Sequence, residues 1–360
     1  MAGGPPANEL AAGAETDLAI LWAGSPDGVE SRLVTQAGLP FRAISTGKLR
    51  GANPLTAAVN AGKMGVGVRQ ASALLEEFRP HVCLVTGGYA CTPVAIACRL
   101  RRVPILIYLP DMAPGLAVRS LSRLAQRVAV SFPEVTQHFG SKAVVTGYPV
   151  RAELLQAVQD RAAARERLFQ ALEWAPQPDE ERLPLLLVFG GSQGARSINK
   201  AIWANLPSLL PHAQILHVIG ARDWGMQGDH MPQLPPALAR RYHPVAYLHQ
   251  EMPWALAVAD LVVARAGAST LGEFPVAHLP AVLAPLPISG GHQWPNARKL
   301  AEQGGAAIVP DSELAQKLSS TVLELLRDDE RRLRMGAAMA SLARPNAALA
   351  IARELVDLAR

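Results

Sequence analysis

No stretch restricts the fold more than Pro184 to Asn199, which reads Pro-Leu-Leu-Leu-Val-Phe-Gly-Gly-Ser-Gln-Gly-Ala-Arg-Ser-Ile-Asn. Leu185 to Phe189 is a continuous apolar run of strand length, the pattern of a parallel strand buried on both faces. It breaks at Gly190-Gly191-Ser192-Gln193-Gly194, and helical spacing resumes at Ile198. The order predicted is therefore strand, glycine turn, helix start. Glycines let the backbone turn sharply and approach a ligand closely. The first N–H groups of a helix lack intrahelical partners and carry the positive end of its dipole, so a diphosphate fits against them. A second reading stands beside this one: an ordinary strand-to-helix turn with Ser192 as its N-cap. The turn is not a Walker loop, because no Gly-Lys-Ser/Thr follows, and it is not Gly-x-Gly-x-x-Gly.

A length of 360 residues allows two domains, each with its own core. Cys83, Cys91 and Cys98 match neither a zinc spacing nor a disulfide framework, and they read as small buried hydrophobes in a reducing compartment. Met1 to Ala14 has no basic and apolar pattern of a secretory signal. The longest uncharged apolar stretch, Val82 to Cys98, is broken by Thr86-Gly87-Gly88-Tyr89, which predicts strand, turn and helix rather than a membrane span. The net charge of +5 is uneven, +6 over residues 1–167 and −1 over 168–360. A basic first half attracts anions. With aromatics at 5% and not interleaved with the basic residues, lipid fits better than nucleic acid, and a solvated basic face is the alternative.

Strands are expected at 17–23, 40–44, 82–85, 104–108, 127–131 and 142–145, then at 185–189, 214–219, 245–247, 261–264, 281–284 and 306–308, with helical stretches between. Alternation of this kind makes parallel sheets. The fold class is α/β: two open Rossmann-like domains facing each other across a cleft, with ligands at the carboxyl ends of the strands. A helix over 114–127 would stack Arg119, Arg123 and Arg127 on one face.

Two further loops fall on the edge that carries Gly190 to Gly194. Arg265-Ala266-Gly267-Ala268-Ser269-Thr270 follows a strand and opens a helix with Glu273 near its first turn. This is another anion site, and the carboxylate either accepts from ribose hydroxyls or caps the helix. His292-Gln293-Trp294-Pro295-Asn296 offers amides, which suit sugar hydroxyls better than phosphates.

The motifs at 190–199, at Arg265 with Glu273, and at His292 to Ala297 resemble the MurG-type glycosyltransferases. So do Gly24 to Glu30, Leu49-Arg50-Gly51, Thr86 to Tyr89 and Gly147 to Arg151, over roughly residues 18–345. The resemblance implies a GT-B fold, an inverting mechanism, and no required metal or cofactor. The reaction it implies moves N-acetylglucosamine from its UDP form to the undecaprenyl-diphosphate-linked muramoyl-pentapeptide, lipid I, making lipid II. Such an enzyme would sit in the cytoplasm, peripheral on the inner face of the cell membrane. By position, Ser192 with the backbone of Gly191, Gln193 and Gly194 would hold the UDP diphosphate and Glu273 the ribose, with Gly267, Ala268 and Ser269 among the substrate-binding residues. Leu248 would lie at the uracil, Gln293 and Asn296 at the sugar hydroxyls, and Arg265 and Arg151 along the donor site. Gly87, Gly88 and Tyr89 would face the acceptor diphosphate. The implied organisation is an acceptor domain over 1–155, a linker over 156–183, a donor domain over 184–345 and a final helix over 346–360.

The sequence departs from that family in two places. The opening Gly-Gly-Thr-Gly-Gly-His loop is absent, with only Ala2-Gly3-Gly4-Pro5-Pro6 nearby, as in a truncated or degenerate start. The usual His-Glu-x-Asn is Tyr108-Leu109-Pro110-Asp111, which makes Asp111 the candidate base for the acceptor hydroxyl or, alternatively, a turn residue. Two other functions use the same donor residues: a transferase or epimerase with another acceptor, and an impaired paralogue that only binds.

Overall fold

The computed structural model describes residues 18–26, 28–47, 54–178, 180, 182–191, 193–287 and 293–360. The chain divides into two compact units, 1–105 and 106–360. In the first, β1 (Trp22–Gly24) pairs in parallel with β2 (Phe41–Ala43), and β3 (Cys83–Val85) leads into the helix Cys91–Arg101. The long helix Pro54–Phe78 lays Leu74 and Leu75 against a small core of Ile44, Ala71 and Ala97.

The second unit holds two parallel sheets. One contains β4 (Ile105–Leu109), β5 (Arg127–Val130) and β6 (Ala143–Val145), adjacent in that order. The other runs β12-β11-β10-β7-β8-β9, with β7 (Leu185–Phe189) and β10 (Leu261–Ala264) central. Its remaining strands are β8 (Gln214–Val218), β9 (Tyr242–Val245), β11 (Ala281–Leu283) and β12 (Ala306–Ile308). β7 and β10 read as unbroken apolar runs because helices cover both faces of the sheet. The helix Arg196–Leu209 turns Ile198, Ile202, Leu206 and Leu209 inward at helical spacing, and Leu314–Arg327 does the same with Leu314, Leu318 and Val322.

Two expectations shift. The ninth strand is Tyr242–Val245 rather than 245–247, because the pairing of Ile215 with Tyr242 buries the Tyr242 ring against the core. The arginine stripe does not form, since the helix there spans only Leu116–Leu121, and Arg127 lies in β5 paired with Glu354. Glu354 belongs to the last helix, Ala347–Ala359, which packs Ile351, Leu355 and Leu358 against Leu106, Tyr108 and Ala129. The segment proposed as linker, 156–183, is helical in its first part, holding the second half of the helix Ala152–Gln159 and all of the helix Arg161–Ala171. Among the described residues no helix is long and apolar enough to cross a membrane.

Candidate functional site

β7 ends at Phe189, and the glycine turn that follows has the backbone only glycine adopts without strain. Gly191 and Gly194 have φ of 95° and 81°. A methyl on Gly194 would fall 2.4 Å from the Ile219 carbonyl oxygen, and one on Gly190 2.2 Å from the Ala195 side chain. Gly191 faces open space instead, with nothing within 4 Å of where its methyl would stand. The N-cap of the helix Arg196–Leu209 is Ala195, and no side chain caps it. The capping position falls on Ala195, three residues after Ser192. Ser192 itself lies outside the described residues, as do Leu49, Arg50, Gly51 and His292. Among the described residues no side chain accepts from the leading N–H groups of this 14-residue helix, and such groups suit an anion.

These elements open on a cavity of about 720 Å³, lined among others by Gly191, Gln193, Arg196, Lys200, Arg265 and Gln293. Three cations on one cavity wall beside an uncapped helix suit a ligand carrying two phosphates. Arg265 reaches the cavity while held from behind. Its Nη1 donates to the Ala284 carbonyl at 2.9 Å and to Asp311 Oδ1 at 2.5 Å, and its Nη2 donates to Ser197 Oγ at 2.7 Å. Ser197 in turn donates to Asp311 at 2.6 Å, so the guanidinium ties the start of the glycine-loop helix to the ends of β10 and β11. Gln193 Oε1 accepts from Arg222 at 3.1 Å, and Gln293 Oε1 accepts from the Leu286 N–H at 2.8 Å.

Gly267, Ala268 and Ser269 form the turn after β10. Gly267 accepts from Thr270 Oγ1 at 2.7 Å, and no atom lies within 4 Å of where its methyl would stand. The helix Thr270–Ala277 follows, with Glu273 in its first turn. The Glu273 carboxyl sits 3.8 Å from Arg151 with its side chain 16% exposed. Burial pushes its pKa above the ordinary carboxylate value, against the pull of Arg151 and of a hydrogen bond from Ser269. Leu248 is buried beside the exposed Tyr247.

In the first unit Gly87 and Gly88 both have positive φ, 98° and 82°, which bends the chain sharply between β3 and its helix. The turn is braced by Cys91 Sγ donating to the Gly87 carbonyl at 2.8 Å and by Thr46 Oγ1 donating to the Tyr89 carbonyl at 3.1 Å. The Tyr89 side chain is exposed.

Asp111 is half-buried after β4, where Asn296 Nδ2 donates to its Oδ1 at 2.9 Å. Asn296 is wholly buried.

Sequence reasoning passed over a buried polar chain behind the glycine loop. Trp203 Nε1 donates to the Tyr242 hydroxyl at 3.0 Å, and that hydroxyl donates to His217 Nδ1 at 2.9 Å. His217 Nε2 donates to Asn199 Oδ1 at 3.0 Å, and Asn199 Nδ2 donates to the Ile219 carbonyl at 3.0 Å and to Asp223 Oδ2 at 3.1 Å. Each member donates onward, which fixes neutral His217 as the Nε2–H tautomer. Complete burial pushes its pKa down to about 3. The signal was present in the sequence: a histidine inside the largely apolar run Gln214–Val218, and an asparagine one turn into the preceding helix.

Two family domains match this chain: the glycosyltransferase family 28 N-terminal domain over residues 8–130 and the family 28 C-terminal domain over 185–351. A relative from Roseiflexus sp. (strain RS-1), named UDP-N-acetylglucosamine--N-acetylmuramyl-(pentapeptide) pyrophosphoryl-undecaprenol N-acetylglucosamine transferase, is 41% identical over 94% of this chain and 83% of its own. A relative of the same name from Nocardioides sp. (strain ATCC BAA-499 / JS614) is 37% identical over 96% of this chain and 91% of its own. Among solved structures, Acinetobacter baumannii MurG superposes with a TM-score of 0.71 at 24% identity, covering 94% of this chain and 91% of that one. A UDP-GlcNAc 2-epimerase from Neisseria meningitidis superposes at 0.63 with 12% identity, covering 94% and 91%. Both likenesses speak to the fold, which is the GT-B arrangement of two Rossmann-like domains.

Proposed function

The chain belongs to glycosyltransferase family 28, and from that membership we propose that it moves N-acetylglucosamine from UDP-N-acetylglucosamine to lipid I, forming lipid II for peptidoglycan. The observation that carries this reading is the uncapped helix start at Ala195 behind a glycine loop, beside Arg196, Lys200 and Arg265. Departing UDP carries the negative charge that develops during transfer, and fixed N–H groups and guanidiniums stabilise it there.

Glu273 holds the ribose hydroxyls, with Arg151 and the Gly267-Ala268-Ser269 turn beside it, and Leu248 borders the base. Gln293 already accepts from the Leu286 N–H through Oε1, so Nε2 is the atom assigned to a sugar hydroxyl. In the inverting step the acceptor hydroxyl oxygen bonds to the anomeric carbon as the anomeric C–O bond to UDP breaks. The bonding pair leaves with the diphosphate, and the hydroxyl proton passes to Asp111. Gly87, Gly88 and Tyr89 meet the acceptor diphosphate. The basic excess of the first 167 residues supports a peripheral position on the inner face of the cell membrane.

Incubation with UDP-[14C]N-acetylglucosamine and synthetic lipid I tests the reading. Label passing into the lipid fraction is the expected result. Retained UDP without transfer identifies a binding protein, and conversion of the donor without any acceptor identifies an epimerase; either would overturn it.

A further inference from the structure

We propose that Asp311 is a positioning residue for the nucleotide diphosphate: it holds Arg265 so that one edge of the guanidinium is left for the phosphates. The inference rests on the placing of UDP at the glycine-loop helix. A guanidinium carries its N–H donors in one fixed plane, one on Nε and two on each Nη. Both donors of Arg265 Nη1 are used within the protein, on Asp311 and the Ala284 carbonyl, and one donor of Nη2 is used on Ser197. The Ser197 and Asp311 oxygens are themselves bonded, at 2.6 Å, so they receive the Nη1 and Nη2 hydrogens that share the end of the fork. The Nε–H and the second Nη2–H are the remaining donors, side by side on another edge of the same plane. Two parallel donors on one edge match two oxygens of a phosphate.

The sheet brings these groups together. β10, β11 and β12 are adjacent and parallel, so Arg265 after β10, Ala284 after β11 and Asp311 after β12 emerge on the same edge. The guanidinium reaches across the end of β11 to the turn beyond β12. Asp311 opens the short turn Asp311–Glu313, which follows Pro310, and no side-chain capping bond is made there. Its carboxylate accepts from Arg265 and from Ser197 through the same oxygen, Oδ1. Arg265 and Ser197 line the cavity and Asp311 does not, so Asp311 acts through them. The Arg265 side chain is 11% exposed and that of Asp311 23%, which keeps most water off the pair. A free arginine loses much rotamer freedom when a ligand fixes it. One that is already fixed binds without that cost.

The test is a double-mutant cycle on the full chain: wild type, Asp311→Ala, Arg265→Ala and both together, each titrated calorimetrically with UDP and with uridine. Asp311→Ala is expected to weaken UDP about tenfold and to leave uridine within about twofold. In the Arg265→Ala background the same change is expected to have no further effect on UDP, because residues acting as a unit lose their effect together. Asp311→Asn keeps an oxygen acceptor where the carboxylate stood, and it is expected to recover most of the UDP affinity. Asp311→Ser, too short to reach the guanidinium, takes the place of the alanine variant in the cycle if that one does not fold. A loss that persists in the Arg265→Ala background, or an equal loss for uridine, would assign Asp311 to the fold alone and overturn the inference while leaving UDP at the helix. An unchanged UDP affinity in Asp311→Ala would overturn it as well. A wild-type protein that binds UDP no tighter than uridine would remove the nucleotide reading, and the inference with it.

Discussion

Gly194 and Gly220 pack backbone against backbone: a methyl on Gly220 would stand 2.4 Å from both the Cα and the N of Gly194. Both residues have positive φ, 81° and 93°. The end of β8 thus presses on the glycine loop, which gives the loop its shape. Gly220→Ala is expected to destabilise the protein by about 2 kcal/mol or more and to weaken UDP binding, although Gly220 is not among the residues assigned to the nucleotide. Chemical denaturation and UDP titration of the variant check the two effects together.

His217 predicts an acid sensitivity with a defined sign. Its folded pKa is about 3, against an ordinary value near 6.5. Between these values the unfolded chain binds the extra proton and the folded one does not, so stability is complete above about pH 6.5 and falls as pH drops toward 3. A proton on Nδ1 would also face the Tyr242 hydroxyl hydrogen and break the chain that runs to Asp223. His217→Gln should flatten the fall in Tm between pH 7 and 5, at some cost to Tm at pH 7. A variant with the same slope as wild type would assign the acid sensitivity elsewhere.

Glu273 has the opposite sign. Its pKa is raised in the fold, mainly by burial, so the folded state binds more protons across the window from about pH 4.3 upward. Its ionisation therefore costs stability that is absent below that window and incurred as pH rises through it. Glu273→Gln is expected to gain in Tm relative to wild type from pH 4 to pH 7. The same variant should lose affinity for UDP but not for pyrophosphate, because the contact at stake is the ribose. Measuring both on one preparation separates a binding carboxylate from a purely structural one.

Much of this was legible from residues alone. Glycines at 190–194 between an apolar run and a helix announce a turn with positive φ, and Leu185–Phe189 could hardly be other than a buried strand. The alternating order of strands and helices gave the two parallel sheets. What sequence could not give was pairing across distance. Asp111 and Asn296 are 185 residues apart, and each looked like an ordinary loop residue carrying its own chemistry. Arg265 suggested a ligand contact, while its bonds to Asp311 and Ser197 depend on how β10 and the glycine-loop helix come together. The arginine stripe failed because helical spacing was extended past Leu121 into what tertiary packing makes a strand.

The central claim is that the glycine-loop helix grips a nucleotide by its phosphates, and calorimetric titration of UDP against uridine tests it most directly. UDP is expected to bind tighter than uridine by about tenfold or more, with the difference lost in Gly194→Val. Equal affinities for the two ligands, or a difference that survives Gly194→Val, would contradict it.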